Sequence, residues 1–152
     1  MMMKPIKTSL IFKQSGLAAV EMLVTVPILV AILLAITEFG NAFIQYNTLN
    51  KMAQNGVRHA TAEILGTGST VPCNNATTVA DTMSVVLYGR TVSASANLVM
   101  DGVTAEDVTM SCTGKYVTIT INHQYTPIIG SFSSETSFSV PLIASAVMRT
   151  GA

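Results

Sequence analysis

A chain of 152 residues is sized for one domain, and 49% hydrophobic with only 11% charged residues is too oily for an ordinary soluble domain of that length. The whole chain has no net charge, yet Lys4, Lys7 and Lys13 all precede Gly16; from Leu17 onward five basic residues face eight acidic ones, a balance of −3. No basic patch interleaved with aromatics is present, so nucleic acid is excluded as an expected partner.

The oily excess is local. Residues 17–36 hold no charge except Glu21, and at about 1.5 Å rise per residue they reach roughly 30 Å, the thickness of a bilayer's hydrocarbon core. One spanning helix is predicted. A cleaved secretory signal shares the basic start, but this apolar run outlasts the usual h-region and "ITEFGNAF" behind it offers no A-x-A-like site. With the lysines in front and Glu38 close behind, the positive-inside rule leaves the N-terminus in the cytoplasm and exports everything after the span. In an oxidising compartment Cys73 and Cys112 read as one disulfide, worth about 3–4 kcal/mol on the chain-entropy model; two unpaired buried thiols are the alternative.

Helical spacing continues beyond the span. Phe39, Phe43, Tyr46, Leu49, Ala53, Val57, Ala60 and Ile64 recur every three or four residues, with Asn41, Gln45, Thr48, Asn55, His59 and Glu63 on the other side. This predicts an amphipathic continuation over 39–66, stopped by Gly66 and Gly68. Residues 67–76 read as a loop. "TTVADTMSVVLYG" places Val79, Met83, Val86 and Leu87 on one face of a short helix, capped by Thr77 or Thr78. Thr91 to Ala96 alternates, which suits a short strand or extended loop, and Asp101-Gly102 is a turn signal.

The period then becomes two. Val108, Met110 and Cys112 form one half-buried strand and Val117, Ile119 and Ile121 a second, joined by Thr113-Gly114-Lys115. Phe138, Val140, Leu142, Ala144, Ala146 and Met148 predict a third, with Pro141 on its opposite face marking an edge strand or a bulge. The fold class is α+β: a sheet this small is not stable with one face bare, and the second half of the long helix is the large element able to cover it. The expected division is a basic leader over 1–16, a transmembrane helix over 17–38, its amphipathic continuation over 39–66 and an exported globular part over 67–152.

Glu21 is the charge that needs explaining. A carboxylate near the end of a span can snorkel or take a proton, or line an ion path. A third account begins with a cut between Gly16 and Leu17, which removes the leader lysines and leaves an α-ammonium at the head of an oily helix. A bare ammonium enters an apolar environment only at high cost. If such helices bundle, the amine of one subunit pairs with Glu21 of a neighbour, which cancels both charges and fixes the stagger.

"G-L-A-A-V-E", residues 16–21, behind lysines and in front of an uncharged helix, resembles the class III signal of type IV pilins and pseudopilins. With Pro27 and the Glu38-Phe39-Gly40 exit, "GLAAVEMLVTVPILVAILLAITEFGNAF" resembles the TadE-like minor pilins of the tight adherence (Flp/Tad) pilus, and "ASAVMR", 144–149, is similar to that family's ending. The resemblance implies a type IV pilin-like fold and cleavage after Gly16 by prepilin peptidase. It also implies partnership with the major pilin, other minor pilins and an inner-membrane assembly platform. The location implied is the bacterial inner membrane with the C-terminal part in the periplasm, then the pilus at the cell surface. In that family the subunit serves in assembly, initiation or the tip of an adhesive fibre. Leu17 stands where many pilins have Phe. Pro27 removes a backbone hydrogen bond and kinks the rod: it is either a routine span proline or the place where the helix bends as the subunit leaves the bilayer.

Other chemistry is thinly represented. His59 falls on the polar helix face and His123 on the covered face of a strand end, and no third ligand stands at metal spacing from either. "GSFSSETSFS" lacks a nucleophile elbow and reads as a loop, and "NAT" at 75–77 is a chance acceptor triplet. Neither an enzyme nor a cofactor is expected. The competing reading is an unprocessed, single-span anchor for a periplasmic binding domain.

Overall fold

The structure is a computed structural model that describes residues 14–67, 72–91, 97–127 and 139–150. Most of the leader, Gly68, residues 92–96 of the segment expected as strand or extended loop over 91–96, most of the serine-rich run from 130 and Phe138 lie outside the described residues. In chain order the elements are α1 (Gln14–Thr67), a 3-10 turn (Pro72–Asn74), α2 (Ala76–Tyr88) and a second 3-10 turn (Ala105–Asp107). Strands β1 (Val108–Thr113), β2 (Tyr116–Tyr125) and β3 (Val140–Arg149) follow. Two compact units divide between Thr37 and Glu38.

The described residues of the first unit are all helix. The apolar side chains of residues 17–36 are all exposed in the chain itself, so nothing internal rewards their hydrophobicity. Two of its hydroxyls bond the backbone: Thr25 Oγ1 donates to the Glu21 carbonyl at 2.7 Å and Thr37 Oγ1 to that of Leu33 at 2.9 Å. A polar group in hydrocarbon must be satisfied within its own helix. α1 continues through Pro27, whose missing N–H leaves the Leu23 carbonyl without its usual partner.

The second unit is an antiparallel meander of order β1-β2-β3 with helices over one face. Val108 pairs with Ile121, Met110 with Ile119 and Cys112 with Val117, so the alternation read from the sequence lands on one covered face. β3 continues it with Leu142, Ala144, Ala146 and Met148, and is an edge strand whose register runs unbroken past Pro141. The hairpin is tighter than the expected three residues: Thr113 still pairs with Tyr116, and Gly114, at φ 59°, turns the chain with Lys115. Thr150 then closes the corner, its N–H and hydroxyl both donating to the Lys115 carbonyl.

Leu49, Met52, Ala53, Val57, Ala60 and Ile64 of α1 cover this face, together with Val86 and Leu87 of α2 and Val103 from the following loop. The expected face of α1 is corrected at its near end. Phe39, Phe43 and Tyr46 are exposed, Phe39 at 76%. There the covered side has moved round to Glu38, Ala42 and Gln45, because two adjacent stripes share the three-and-four spacing and the sheet contacts only one.

α2 also differs from expectation. Asn75 is the N-cap, its side chain accepting the Thr77 N–H at 3.0 Å, so neither Thr77 nor Thr78 holds that place. The segment before it, expected as plain loop, contains the 3-10 turn. Thr78 and Thr82 are buried in α2 beside Val86 and Leu87, whereas Val79 is only half covered. Small, β-branched residues suit this contact because α1 comes close: a Cβ added at Gly56 would overlap Val86 Cγ2 and stand 2.8 Å from Ile119 Cδ1. The end of α2 is the left-handed Gly89, after which Val99 N–H returns to the Leu87 carbonyl.

Cys73 and Cys112 are bonded, tying the turn before α2 to the end of β1 across 39 residues. Both half-cystines are half-buried, and Cys112 lies on the covered side as its parity requires.

Two stability outcomes follow. Gly56→Ala gains about 1 kcal/mol of helix propensity but overpacks against a stiff valine, typically costing 1–3 kcal/mol, so a net loss is expected in urea unfolding followed by near-ultraviolet circular dichroism. Replacing both cysteines by alanine lowers stability by about 2–5 kcal/mol in the same measurement. Unchanged midpoints would contradict the close approach and the bridge respectively.

Candidate assembly surface of the first helix

The candidate site is built on α1. Gly16, Leu17, Glu21 and Pro27 all lie on its first unit, and all are exposed. One turn either side of Glu21 stand Leu17 and Thr25, and three residues away Ala18 and Val24; none is cationic. Among the described residues no ion pair to its carboxylate is formed, so the site is a single acidic group on an otherwise uncharged apolar cylinder. Gly16 has open space around it, with no atom within 4 Å of an added Cβ apart from the helix's own backbone. Leu17 follows it directly. The two residues flanking the expected cut, and the acid five residues on from Gly16, are thus all exposed on the helix.

The second unit supplies what the sequence reading missed. Tyr125 ends β2 with the same parity as Val117, Ile119 and Ile121, so its ring is buried on the covered face. Its hydroxyl donates to Glu38 Oε2 at 2.6 Å and lies 3.4 Å from the Glu38 carbonyl. Burial, then the hydrogen bond to Glu38, then that carboxylate's charge push the phenol up to about 12. Glu38 is the first acid after Glu21 in the chain, and the contact anchors the strand end to the start of the second unit. Tyr125 was not singled out in the sequence, although period-two parity continued from Ile121 and His123 reaches it; nothing in the sequence foretold which of eight acids it would meet. Two turns on, Gln45 Oε1 is enclosed without a hydrogen-bond partner.

The remaining candidates do not join a site. His59 is half-buried, with Nδ1 3.4 Å from Thr82 Oγ1 in the seam between α1 and α2. His123 is half-buried on the covered face, its Cε1 packed toward Gly102. Cys73 and Cys112 are spent on their disulfide. Among the described residues no cluster of His, Cys, Asp and Glu could hold a metal ion.

Residues 16–58 match the family model described as TadE-like protein, the family that the leader and span resemble. The match starts at Gly16, covers the whole apolar stretch and ends two residues beyond Gly56. The helix that carries the match is long and apolar enough to cross a membrane. No curated protein and no solved structure matches the chain.

Tyr125→Phe keeps the ring and removes the hydroxyl. A hydrogen bond to a charged group is worth about 1.5–3 kcal/mol, and a loss of that order is expected. The pH dependence has a definite sign. Because the folded state holds the phenol proton more tightly than the unfolded chain, this stability is fully present below about pH 10 and lost as pH rises toward about 12. Unfolding curves of the two proteins should therefore converge over that range, and parallel curves would contradict the Glu38 contact.

Proposed function

We propose that this chain is a minor pilin: inserted with its basic leader in the cytoplasm, cut after Gly16 by a prepilin peptidase, and drawn through the residues 17–36 helix into a tight adherence pilus or its assembly complex. The observation that carries the reading is an apolar helix with no internal cover and a lone carboxylate, Glu21, at the place where the match to the TadE-like family begins. A helix of this kind has two solvents available, lipid and the helices of other subunits. Lipid alone gives no reason for the acid, since a carboxylate within a span is unfavourable and gains nothing from acyl chains.

Cleavage changes the balance. It exposes an ammonium on Leu17, and in a bundle of such helices that amine meets Glu21 of an adjacent subunit. Buried pairs of this kind add little net stability but penalise every stagger that leaves one charge alone, which suits a fibre that grows by identical steps. Pro27 gives the same helix a weak point where it can bend between bilayer and fibre. The disulfide and the covered sheet fit an exported part that has to survive outside the membrane. The expected partners are the peptidase, the major pilin, other minor pilins and the inner-membrane platform.

Intact mass and N-terminal sequencing of the protein recovered from membranes test the first step. Loss of residues 1–16, with a mature chain that begins at Leu17, is expected; full-length mass supports a plain membrane tether for a periplasmic binding domain and overturns the proposal. For the second step, Glu21→Leu is expected to insert and be cut as the native chain is, yet to fall at least tenfold in incorporation into purified fibres. Normal incorporation would remove the pairing argument.

A further inference from the structure

The helices cover one face of the meander, and the side chains of the other stand exposed or half-exposed. The register sets them in rows. Thr109, Thr120 and Ser145 stand abreast, Ser111, Thr118 and Val147 form the next row, and Thr113, Tyr116 and Arg149 form the row at the hairpin end. Rows follow one another at about 6.6 Å along the strands and neighbours within a row at about 4.8 Å, so the hydroxyls make a regular grid. Those of Thr120 and Ser145, 3.2 Å apart, share one hydrogen bond and keep lone pairs for a further partner. Tyr116, 53% exposed, holds much of its ring open to solvent, directly beside an exposed Arg149.

Charge on this face has one sign. The chain from Leu17 onward carries a balance of −3, yet the three strands contain no aspartate or glutamate: all eight acids lie outside them. The acid that adjoins a strand, Asp107, stands before Val108, at the end of β1 away from the hairpin. Arg149 places a guanidinium at the hairpin end, and Lys115 is exposed in the turn itself. A sheet face free of acids in an acidic exported part is complementary to a negatively charged ligand.

We propose that this outer face binds an anionic polysaccharide whose sugars carry carboxylates, with a uronate unit seated at the hairpin end. The Arg149 fork matches a carboxylate with two parallel hydrogen bonds, which a point charge does not. The Tyr116 ring next to it offers an apolar plane for the C–H face of a sugar and a phenol for its hydroxyls. The serine and threonine rows then exchange hydrogen bonds with the following sugars, each hydroxyl acting as donor and acceptor. Other macromolecules fit less well. The core of a protein interface is rich in aromatic residues and methionine and poor in serine, the reverse of this grid. Nucleic acid binding draws on many phosphate contacts, and this end of the sheet has two cations. The inference rests on the sheet alone and goes beyond the pilin reading, since it holds whether or not the chain is cut after Gly16.

The test uses the full chain in phosphatidylcholine nanodiscs, in about 0.15 M salt, where long-range attraction is screened. Biolayer interferometry on immobilised polygalacturonate, a uniform uronate polymer, is run beside neutral dextran. Polygalacturonate should bind at least tenfold more tightly. Arg149→Gln should weaken binding by about tenfold or more, the loss of a charge-assisted hydrogen bond, and Arg149→Lys, which keeps the charge without the fork, should stay below native affinity. Tyr116→Ala should also weaken it. Arg58→Gln, which removes an exposed cation on α1, should leave it unchanged. All four variants sit at exposed positions and should keep the native urea midpoint. Dextran bound as tightly as polygalacturonate, no binding to either, or equal losses from Arg58→Gln and Arg149→Gln would overturn the proposal. So would tighter binding, through Arg149, to phosphatidylglycerol vesicles than to the polymer, which would assign the face to a lipid surface.

Discussion

A three-stranded sheet with one apolar face cannot stand in water uncovered, and the second half of α1 is what covers it. The other features of the second unit serve that contact. Gly56 lets the helix backbone approach Val86 and Ile119. Thr78 and Thr82 keep the facing surface of α2 small, and the disulfide fixes the start of α2 to β1. Val103, in the loop before β1, is buried in the same core. A helix that does this work over residues 49–64 is committed there and has no apolar stripe left for lipid on that side.

The first half of the same helix is under the opposite constraint. Residues 17–36 have no covering surface in the chain, so their apolar character makes sense only toward a bilayer or other subunits. Between the two regimes stands Glu38, held by the Tyr125 phenol. A carboxylate at that position defines the end of the uncharged stretch, and the phenol supplies it with a strong donor without adding positive charge. Glu21 has no such donor among the described residues. The two acids of this helix region thus differ in setting: one is hydrogen-bonded within its own chain, the other stands exposed on an apolar stretch of helix.

Much of this was legible in the sequence, and the reason lies in which periodicities are ambiguous. Period two is not: Val108, Met110 and Cys112, then Val117, Ile119 and Ile121, went to the covered face as read, and the parity rule extended correctly to His123. Helical spacing is less decisive. Leu49, Ala53, Val57, Ala60 and Ile64 were read correctly, but Phe39, Phe43 and Tyr46 satisfy the same rule and end up exposed, because tertiary contact selects one of two neighbouring stripes. Gly56 was missed for the complementary reason: a close approach rewards small size, which hydropathy does not register. In α2, threonines buried opposite that glycine contradict an apolar-face rule for the same cause. On the candidate surface, Gly16, Leu17 and Glu21 carried their signal in local order, whereas the Glu38–Tyr125 contact joins positions 87 apart and has no local signature.

The account's central claim is that one helix serves two surroundings, sheet-covered over 49–64 and externally solvated over 17–36. Hydrogen exchange by mass spectrometry on the full chain in lipid nanodiscs tests it most directly. The amides of residues 49–64 should open with the same free energy as those of Val117, Ile119 and Ile121 in β2, and lose protection together with them in urea, while those of 17–36 remain protected by the bilayer. Fast exchange over 49–64 while β2 stays protected would show that something other than α1 covers the sheet, and would contradict the account.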